Sequence, residues 1–349
     1  MKGGDAAGGP PLPPPPKERC VPGTQFCIDS LTFKAQAYFV SHAHTDHYSG
    51  LSDRFDRGTP VYCSECTCRV LIAKFPGLDG AGVLHPLPMR EAVDVMGVRV
   101  TLIDANHCPG AVQFIFEMPD GTVYIHSGDM RFSSAFKQDA LLEACKGRIA
   151  NLYLDTTYCN PRYTFPSQAE SVSYVADRVR EGLEASTRAD AGAGGGVGGT
   201  GGDGKTPQPL FLISTYSIGK EKILKAVASA CGCKVFVTER KMRVLGSLRD
   251  PELDAIMTTD PGETRVHVVR WGLLGATFPY FQPGFDAMES YRAKWGASKV
   301  VGFVPTGWMY EMKKQLFRVQ SKHQCEVHLV PYSEHSNYDE LREYVRFLR

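Results

Sequence analysis

Eight short runs of β-forming residues constrain this chain more than any other feature. They are AYFVSH, VRVTLIDANH, TVYIHSGD, NLYLDTTY, PLFLIST, KVFVT, KVVGFVPTG and EVHLVPYSEHS. Each holds a core of about four to eight apolar or β-branched residues bounded by Gly, Pro, Asp or Ser, the pattern of strands buried in a sheet. Between them lie helix-period patterns such as SQAESVSYVADRVREGLEA and GKEKILKAVASA, with Ser167 and Ser217 as candidate N-caps. The two textures together predict a mixed α and β fold. Several runs end in a side chain able to bind metal or phosphate: His42, His107, Asp129, Asp155, Thr306 and His335. Loops at strand ends present such groups from a rigid sheet.

The first of these ends continues into a dense cluster, SHAHTDHYSG, from Ser41 to Gly50. In an extended segment His42 and His44 project to one side and can chelate a single cation. Asp46 and His47, at the turn that follows, face a second point a few ångströms away, so the spacing suits two metals better than one closed site. His107, Asp129 and His335 can complete the pair. With Asp129 bridging, His42, His44 and His107 hold one ion and Asp46, His47 and His335 the other. Imidazole and carboxylate donors without thiolate suit Zn²⁺ (one or two ions), ahead of Mn²⁺, Mg²⁺ or iron. The cysteine-bearing stretches CSECTC and CGC do not have the spacing of paired zinc knuckles.

A second chemical signal lies in STYSIGKEK. Ser217 and Gly219 immediately before a helical pattern make a helix N-terminus, where free N–H groups favour a phosphate, and Lys220 adds a full charge. The same residues would also serve merely to cap a helix. The run TERKMRVLGSLR, with Arg240, Lys241, Arg243 and Arg249, is either a basic track or a solvated face.

Composition removes other classes. The 349 residues, 43% hydrophobic and 22% charged, are enough for two domains with full cores. No run of about 18 apolar residues exists to span a membrane, and the Pro- and Gly-rich start lacks the apolar stretch of a secretory signal. Eleven cysteines in no disulfide-like spacing fit a reducing compartment. A net charge of +1 neither requires nor excludes a polyanion. Residues 1–17 read as a disordered leader, and 191–204 as a Gly-rich surface loop.

His42-x-His44-x-Asp46-His47, followed by a His and an Asp at later strand ends, resembles the metallo-β-lactamase signature. DANHCPGA, HSGDMRF, LYLDTTYCNP, TYSIGKEK, VPTGW and PYSEHSNYDELREYV resemble the DNA cross-link repair nucleases, the Apollo and Artemis family, from about Gly23 to Arg349. HTDHYSGL and TYSIGKEK look closer to the exonucleases of that family than to Artemis.

The resemblance implies an α/β architecture: a four-layered αββα metallo-β-lactamase sandwich carrying an inserted β-CASP α/β domain. The sandwich is expected over 18–157 and 298–349, with the β-CASP domain over 158–297. It implies that Asp29 braces the metal loop without binding metal, and that Asp155 orients a water or a ligand behind the site. It places Tyr158, Thr306 and Ser333 with Lys220 in a pocket for a terminal 5′-phosphate. The family pattern usually adds a strand after LREYVRFL, so a chain ending at Arg349 is expected to lack it.

The function so implied is a metal-dependent 5′-to-3′ exonuclease acting on single-stranded DNA or duplex ends in nuclear cross-link or end repair. Asp46, His47, Asp129, Asp155 and His335 would act in catalysis. Other repair proteins are expected as partners and a membrane is not. The alternatives are a structure-selective endonuclease and a catalytically idle DNA-binding module of a larger repair protein. A glyoxalase-like thioesterase shares the histidine motif but not DTTYCNP or GKEK.

Overall fold

The structure, a computed structural model, describes residues 12–55, 58–193, 207–277, 280–308 and 317–349. Residues 1–11 of the expected leader and 194–204 of the Gly-rich loop lie outside the described residues. The chain divides into two compact units, Met1–Thr157 with Asp339–Arg349, and Tyr158–Tyr338.

The first unit opens with β1 (Phe26–Ile28), β2 (Ala37–Phe39), β3 (Val61–Ser64), α1 (Glu65–Lys74) and β4 (Leu84–Leu87). The four strands form a parallel sheet in chain order. Ser64 ends β3 in extended backbone and starts α1 by accepting the Thr67 N–H on its hydroxyl at 3.1 Å. β5 (Val93–Val95), β6 (Val98–Asp104), β7 (Val112–Glu117), β8 (Val123–His126), α2 (Ala140–Cys145) and β9 (Ile149–Tyr153) follow. Their five strands form a second sheet in chain order, antiparallel except for the parallel β8–β9 pair.

One continuous core joins residues of both sheets: Phe26, Phe39, Val100, Leu102, Phe114 and Phe116, all fully buried. The Phe39 ring lies 5.1 Å from Phe26, 5.5 Å from Phe114 and 5.1 Å from Phe116. Period two on β7 turns Gln113 to the opposite face from Phe114 and Phe116. On that opposite face the Tyr344 hydroxyl donates to Gln113 Oε1 at 2.6 Å.

The second unit holds α3 (Gln168–Ala193), β10 (Leu210–Thr215), α4 (Glu221–Cys231), β11 (Val235–Phe236), α5 (Glu239–Gly246), α6 (Pro251–Ile256) and β12 (Met257–Thr258). β13 (Val266–Arg270), a hairpin of β14 (Gly275–Ala276) and β15 (Gln282–Pro283), α7 (Phe285–Lys294), β16 (Val300–Thr306), β17 (Arg318–Lys322) and β18 (Cys325–Pro331) complete it. Its seven-stranded sheet has the order β12-β11-β13-β10-β16-β18-β17 and is parallel apart from β17. Every residue of β10 and β16 is buried, as expected of central parallel strands covered on both faces.

The last helix, α8 (Tyr338–Leu348), lies in the first unit from Asp339 on and carries Tyr344. With α1 beside β3 and β4, and α8 on the outer face of β7, the first unit is a four-layered αββα sandwich.

All eight runs read as strands are strands. Ser167 caps α3: its hydroxyl accepts the Glu170 N–H at 3.2 Å while the Glu170 carboxylate accepts the Ser167 N–H at 2.8 Å. Ser217 does not cap α4. The N-cap is Lys220, in left-handed backbone at φ 72°, directly after Gly219 at φ 98°. That turn places Ser217 outside the helix with its side chain exposed.

Candidate metal centre and anion pocket

The metal loop begins where β2 runs out at Phe39. His42 is fully buried, and Asp46 is exposed over 79% of its side chain. His42 Nε2 lies 2.9 Å from His44 Nδ1, which in turn lies 3.1 Å from His107 Nε2. Asp129 Oδ2 stands 3.6 Å from His42 Nε2, 3.3 Å from His47 Nε2 and 3.7 Å from His107 Nε2. Asp46 reaches the same ring edge, 3.4 Å from His47 Nε2.

Each side chain is delivered by a strand end. His107 follows β6 through Asn106, whose left-handed backbone at φ 51° swings the chain inward. The Asn106 side-chain amide donates to the Arg131 carbonyl at 2.9 Å, tying that turn to the loop of Asp129. Asp129 follows β8 by way of Gly128, where a Cβ would stand 2.7 Å from Ser41 Cβ. Only glycine allows the two loops so close.

Asp29, buried at the end of β1, holds the arrangement from behind. Its carboxylate accepts the Ser41 N–H at 2.7 Å, the Ser41 hydroxyl at 2.8 Å and His47 Nδ1 at 2.9 Å, leaving His47 Nε2 to face Asp129. Burial works against ionising Asp29, but the His47 imidazole and the Ser41 amide outweigh it and hold the carboxyl below its usual range. Burial likewise opposes a proton on His47, and the carboxylates of Asp29, Asp129 and Asp46 overcome it. His42 is driven well below the usual imidazole range, first by burial and then by the neighbouring rings, so it stays neutral with a lone pair to give.

Asp155 closes the same corner after β9. Its carboxylate accepts the Met130 N–H at 3.0 Å and the Thr157 N–H at 2.9 Å, and its own N–H donates to the Ser127 hydroxyl at 2.8 Å. It therefore grips the chain on both sides of Asp129.

Donors from His42, His44, His107 and Cys108 lie within 4.8 Å of one another, as do those of His42, His47 and Asp129. Imidazoles and a carboxylate converging in a buried corner fit a metal cofactor.

The second unit contains the residues read as an anion pocket. The Lys220 ammonium is buried 3.4 Å from Glu334 Oε2 and lies 5.0 Å from the centre of the Tyr332 ring. The Lys220 N–H donates to Glu334 Oε1 at 2.9 Å, and the Gly219 N–H to Glu221 Oε1 at 2.7 Å. Carboxylates of the chain itself thus occupy the two amides expected to be free for phosphate.

Tyr158 is buried with its ring against Trp308 at 5.3 Å and His335 at 5.7 Å. Thr306, at the end of β16, accepts the Trp308 N–H at 3.1 Å. Ser333 accepts the His335 N–H at 3.0 Å. Lys241 turns inward from the basic run, donating to Thr215 Oγ1 at 2.6 Å and the Tyr216 carbonyl at 2.5 Å, so it adds nothing to a basic track. Burial lowers it to about 8.

Sequence reasoning missed Glu334 and Glu221. Burial first, then the neighbouring Glu334, push Glu221 up to about 7 from an ordinary 4.5, with Lys241 opposing. A carboxyl raised on folding binds more protons in the folded than in the unfolded chain across that window. Its stabilisation is present below pH 4.5 and is lost as pH rises toward 7, by up to about 1.4 kcal/mol per pH unit. Thermal melts between pH 5 and 7 should show a downward slope that Glu221→Gln flattens. Parallel curves for the two proteins would refute this assignment.

A β-lactamase superfamily domain model matches residues 28–189, and a DNA repair metallo-β-lactamase model matches 251–349. The chain is 43% identical to DNA ligase 6 of Arabidopsis thaliana over 96% of its own length and 23% of that protein. It is 36% identical to the human DNA cross-link repair 1A protein, covering 94% of this chain and 29% of the relative. With the 5′ exonuclease Apollo of Gallus gallus the identity is 31%, over 94% of this chain and 61% of the relative. The chain therefore spans from about a quarter to about three fifths of these relatives. The two models match parts of both units and the relatives align over nearly the whole chain, so the chain carries a β-lactamase superfamily domain and a DNA repair metallo-β-lactamase domain.

Proposed function

We propose that this chain is the nuclease module of a 5′-to-3′ DNA exonuclease acting in the nucleus on cross-linked or blocked ends. The observation that carries the reading is the convergence of His42, His47 and His107 on Asp129, with His44 beside His42 and His107. The names of the relatives, DNA cross-link repair 1A and 5′ exonuclease Apollo, support DNA as substrate and the 5′ end as the point of attack.

The proposed cofactor is Zn²⁺, in one or two ions. His42, His44, His107 and Asp129 would hold one position, and Asp46, His47 and Asp129, with His335 on the sequence pattern, the other. Bound there, it supplies Lewis-acid polarisation of a phosphoryl oxygen and activates the attacking water. The chain's own part is positional. Asp29 fixes the His47 ring through Nδ1, and Asp155 fixes the backbone on either side of Asp129. Lys220, with the hydroxyls of Tyr158, Thr306, Ser333 and Ser217, would receive the terminal phosphate. Because Glu221 and Glu334 hold the Gly219 and Lys220 amides, recognition would rest on the ammonium and the hydroxyls.

Charge-assisted contacts of that kind contribute about 1.5–3 kcal/mol. A 5′-phosphorylated strand should thus be cut roughly ten- to a hundredfold better in kcat/KM than a 5′-hydroxyl strand at one fixed salt concentration. Metal-loaded protein on 3′-end-labelled single-stranded DNA should give a ladder shortening from the 5′ end. Lys220→Ala should shrink the phosphate preference and leave the hydroxyl strand little changed. A single internal cut, with both ends treated alike, would move the structure-selective endonuclease ahead.

A further inference from the structure

We infer that Cys231 and Cys233 form a redox-active dithiol that closes reversibly to a disulfide by exchange with a small-molecule disulfide of the glutathione class. The pair stands at the end of α4 farthest from Lys220 and flanks Gly232, which takes left-handed backbone at φ 59° and ψ 33°. The N–H groups of Gly232 and Cys233 both donate to the Ala228 carbonyl, the second at 3.2 Å, so the turn is fixed as the helix cap. Helical curvature of either hand at a middle residue sets its two neighbours' Cα atoms about 5.4 Å apart, whereas an extended residue sets them roughly 6.6 Å apart. Disulfides span about 5.5–6 Å between Cα atoms, so the glycine turn holds the pair at bonding reach.

The two thiols hydrogen-bond to each other, and both are partly exposed. That bond holds the Cys233 thiol below its usual range, against burial, and raises the Cys231 thiol. A thiolate that solvent reaches is the attacking group in exchange, and the thiol beside it resolves the intermediate. Cys63 and Cys68 share the same kind of contact, but both are buried, where an oxidant has less access. The Cys233 thiolate attacks one sulfur of the small disulfide, and the leaving thiolate takes a proton from solvent. Cys231 then gives up its proton and attacks the Cys233 sulfur, and the second small thiolate leaves with that proton. Two protein thiols and one small disulfide thus become one protein disulfide and two small thiols. Where thiols are kept reduced, a bond of this kind is transient and responds to oxidation.

The test is mass mapping of the full chain after equilibration at neutral pH in mixtures of reduced and oxidised glutathione, acid quenching and alkylation. Trypsin cuts after Lys225 and Lys234, so both cysteines fall in the one peptide AVASACGCK. In oxidising mixtures that peptide should be lighter by two hydrogens and unalkylated at both cysteines, and excess reduced glutathione should restore both alkylation sites. Cys231→Ser should instead trap one glutathione on Cys233, and Cys233→Ser should capture far less on Cys231. The wild-type measurement needs no variant to fold. A wild-type peptide alkylated at both positions in oxidising mixtures, or carrying bound glutathione without losing two hydrogens, would overturn the inference. Equal capture by the two variants would overturn Cys233 as the attacking thiol.

Discussion

Asp129→Asn should leave a folded protein that has lost about three orders of magnitude in phosphodiester hydrolysis. Its carboxylate lies within 3.7 Å of three imidazoles, His42, His47 and His107. The amide keeps the shape and removes the charge that binds the imidazoles' cation. The Lewis-acid contribution so weakened is worth several kcal/mol, and each 1.4 kcal/mol is tenfold in rate. Asp129 is partly exposed and belongs to no core cluster, so circular dichroism and the melting temperature should change little. Metal content should fall with the rate. Near wild-type turnover with metal unchanged would remove Asp129 from the centre.

Phe39→Ala should cost about 3–5 kcal/mol of stability in the first unit. The ring is fully buried and touches three phenylalanines drawn from both sheets, as well as stacking on Tyr62 at 5.2 Å. Truncation removes the apolar area and leaves a hole that both sheets would have to move to fill. At about 2–4 °C per kcal/mol for a unit of this size, the melting transition should drop by roughly 6–20 °C. Denaturant midpoints should fall with it while the slope stays constant. A shift within 2 °C would mean that the two sheets do not share this core.

Two of the strands that sequence made legible are buried throughout. β10 and β16 are buried at every position, and their apolar runs announce it. β17 has a single apolar residue, Val319, on an exposed edge, and the two-residue β12 and β14 are too short to carry a period, so none of them stood out. β7 was hidden for another reason: VQFIFE follows CPGA so closely that the loop motif absorbed it.

The same division holds for the site. His42, His44, Asp46 and His47 lie on one stretch, and local spacing displays them. Glu334 meets Lys220 from 114 positions away, and nothing near either residue announces the pairing. Of the two amides expected to be free ahead of α4, that of Lys220 is taken by this distant partner and that of Gly219 by Glu221, two residues along, while Lys241 in the basic run has its ammonium held by Thr215 and the main chain.

The close approach at Gly128 reaches beyond the local turn. Ser41 belongs to the loop leaving β2 in one sheet, and Gly128 to the loop leaving β8 in the other, so the candidate ligands His42 and Asp129 are mounted on two separate slabs meeting at a single missing methyl. Metal affinity then works as a strain gauge for the sandwich. A slide of one sheet over the other by a few tenths of an ångström would splay His42 from Asp129 long before either sheet lost a hydrogen bond. Mutations scattered through the aromatic core should therefore surface first as metal loss at temperatures where the backbone is still intact.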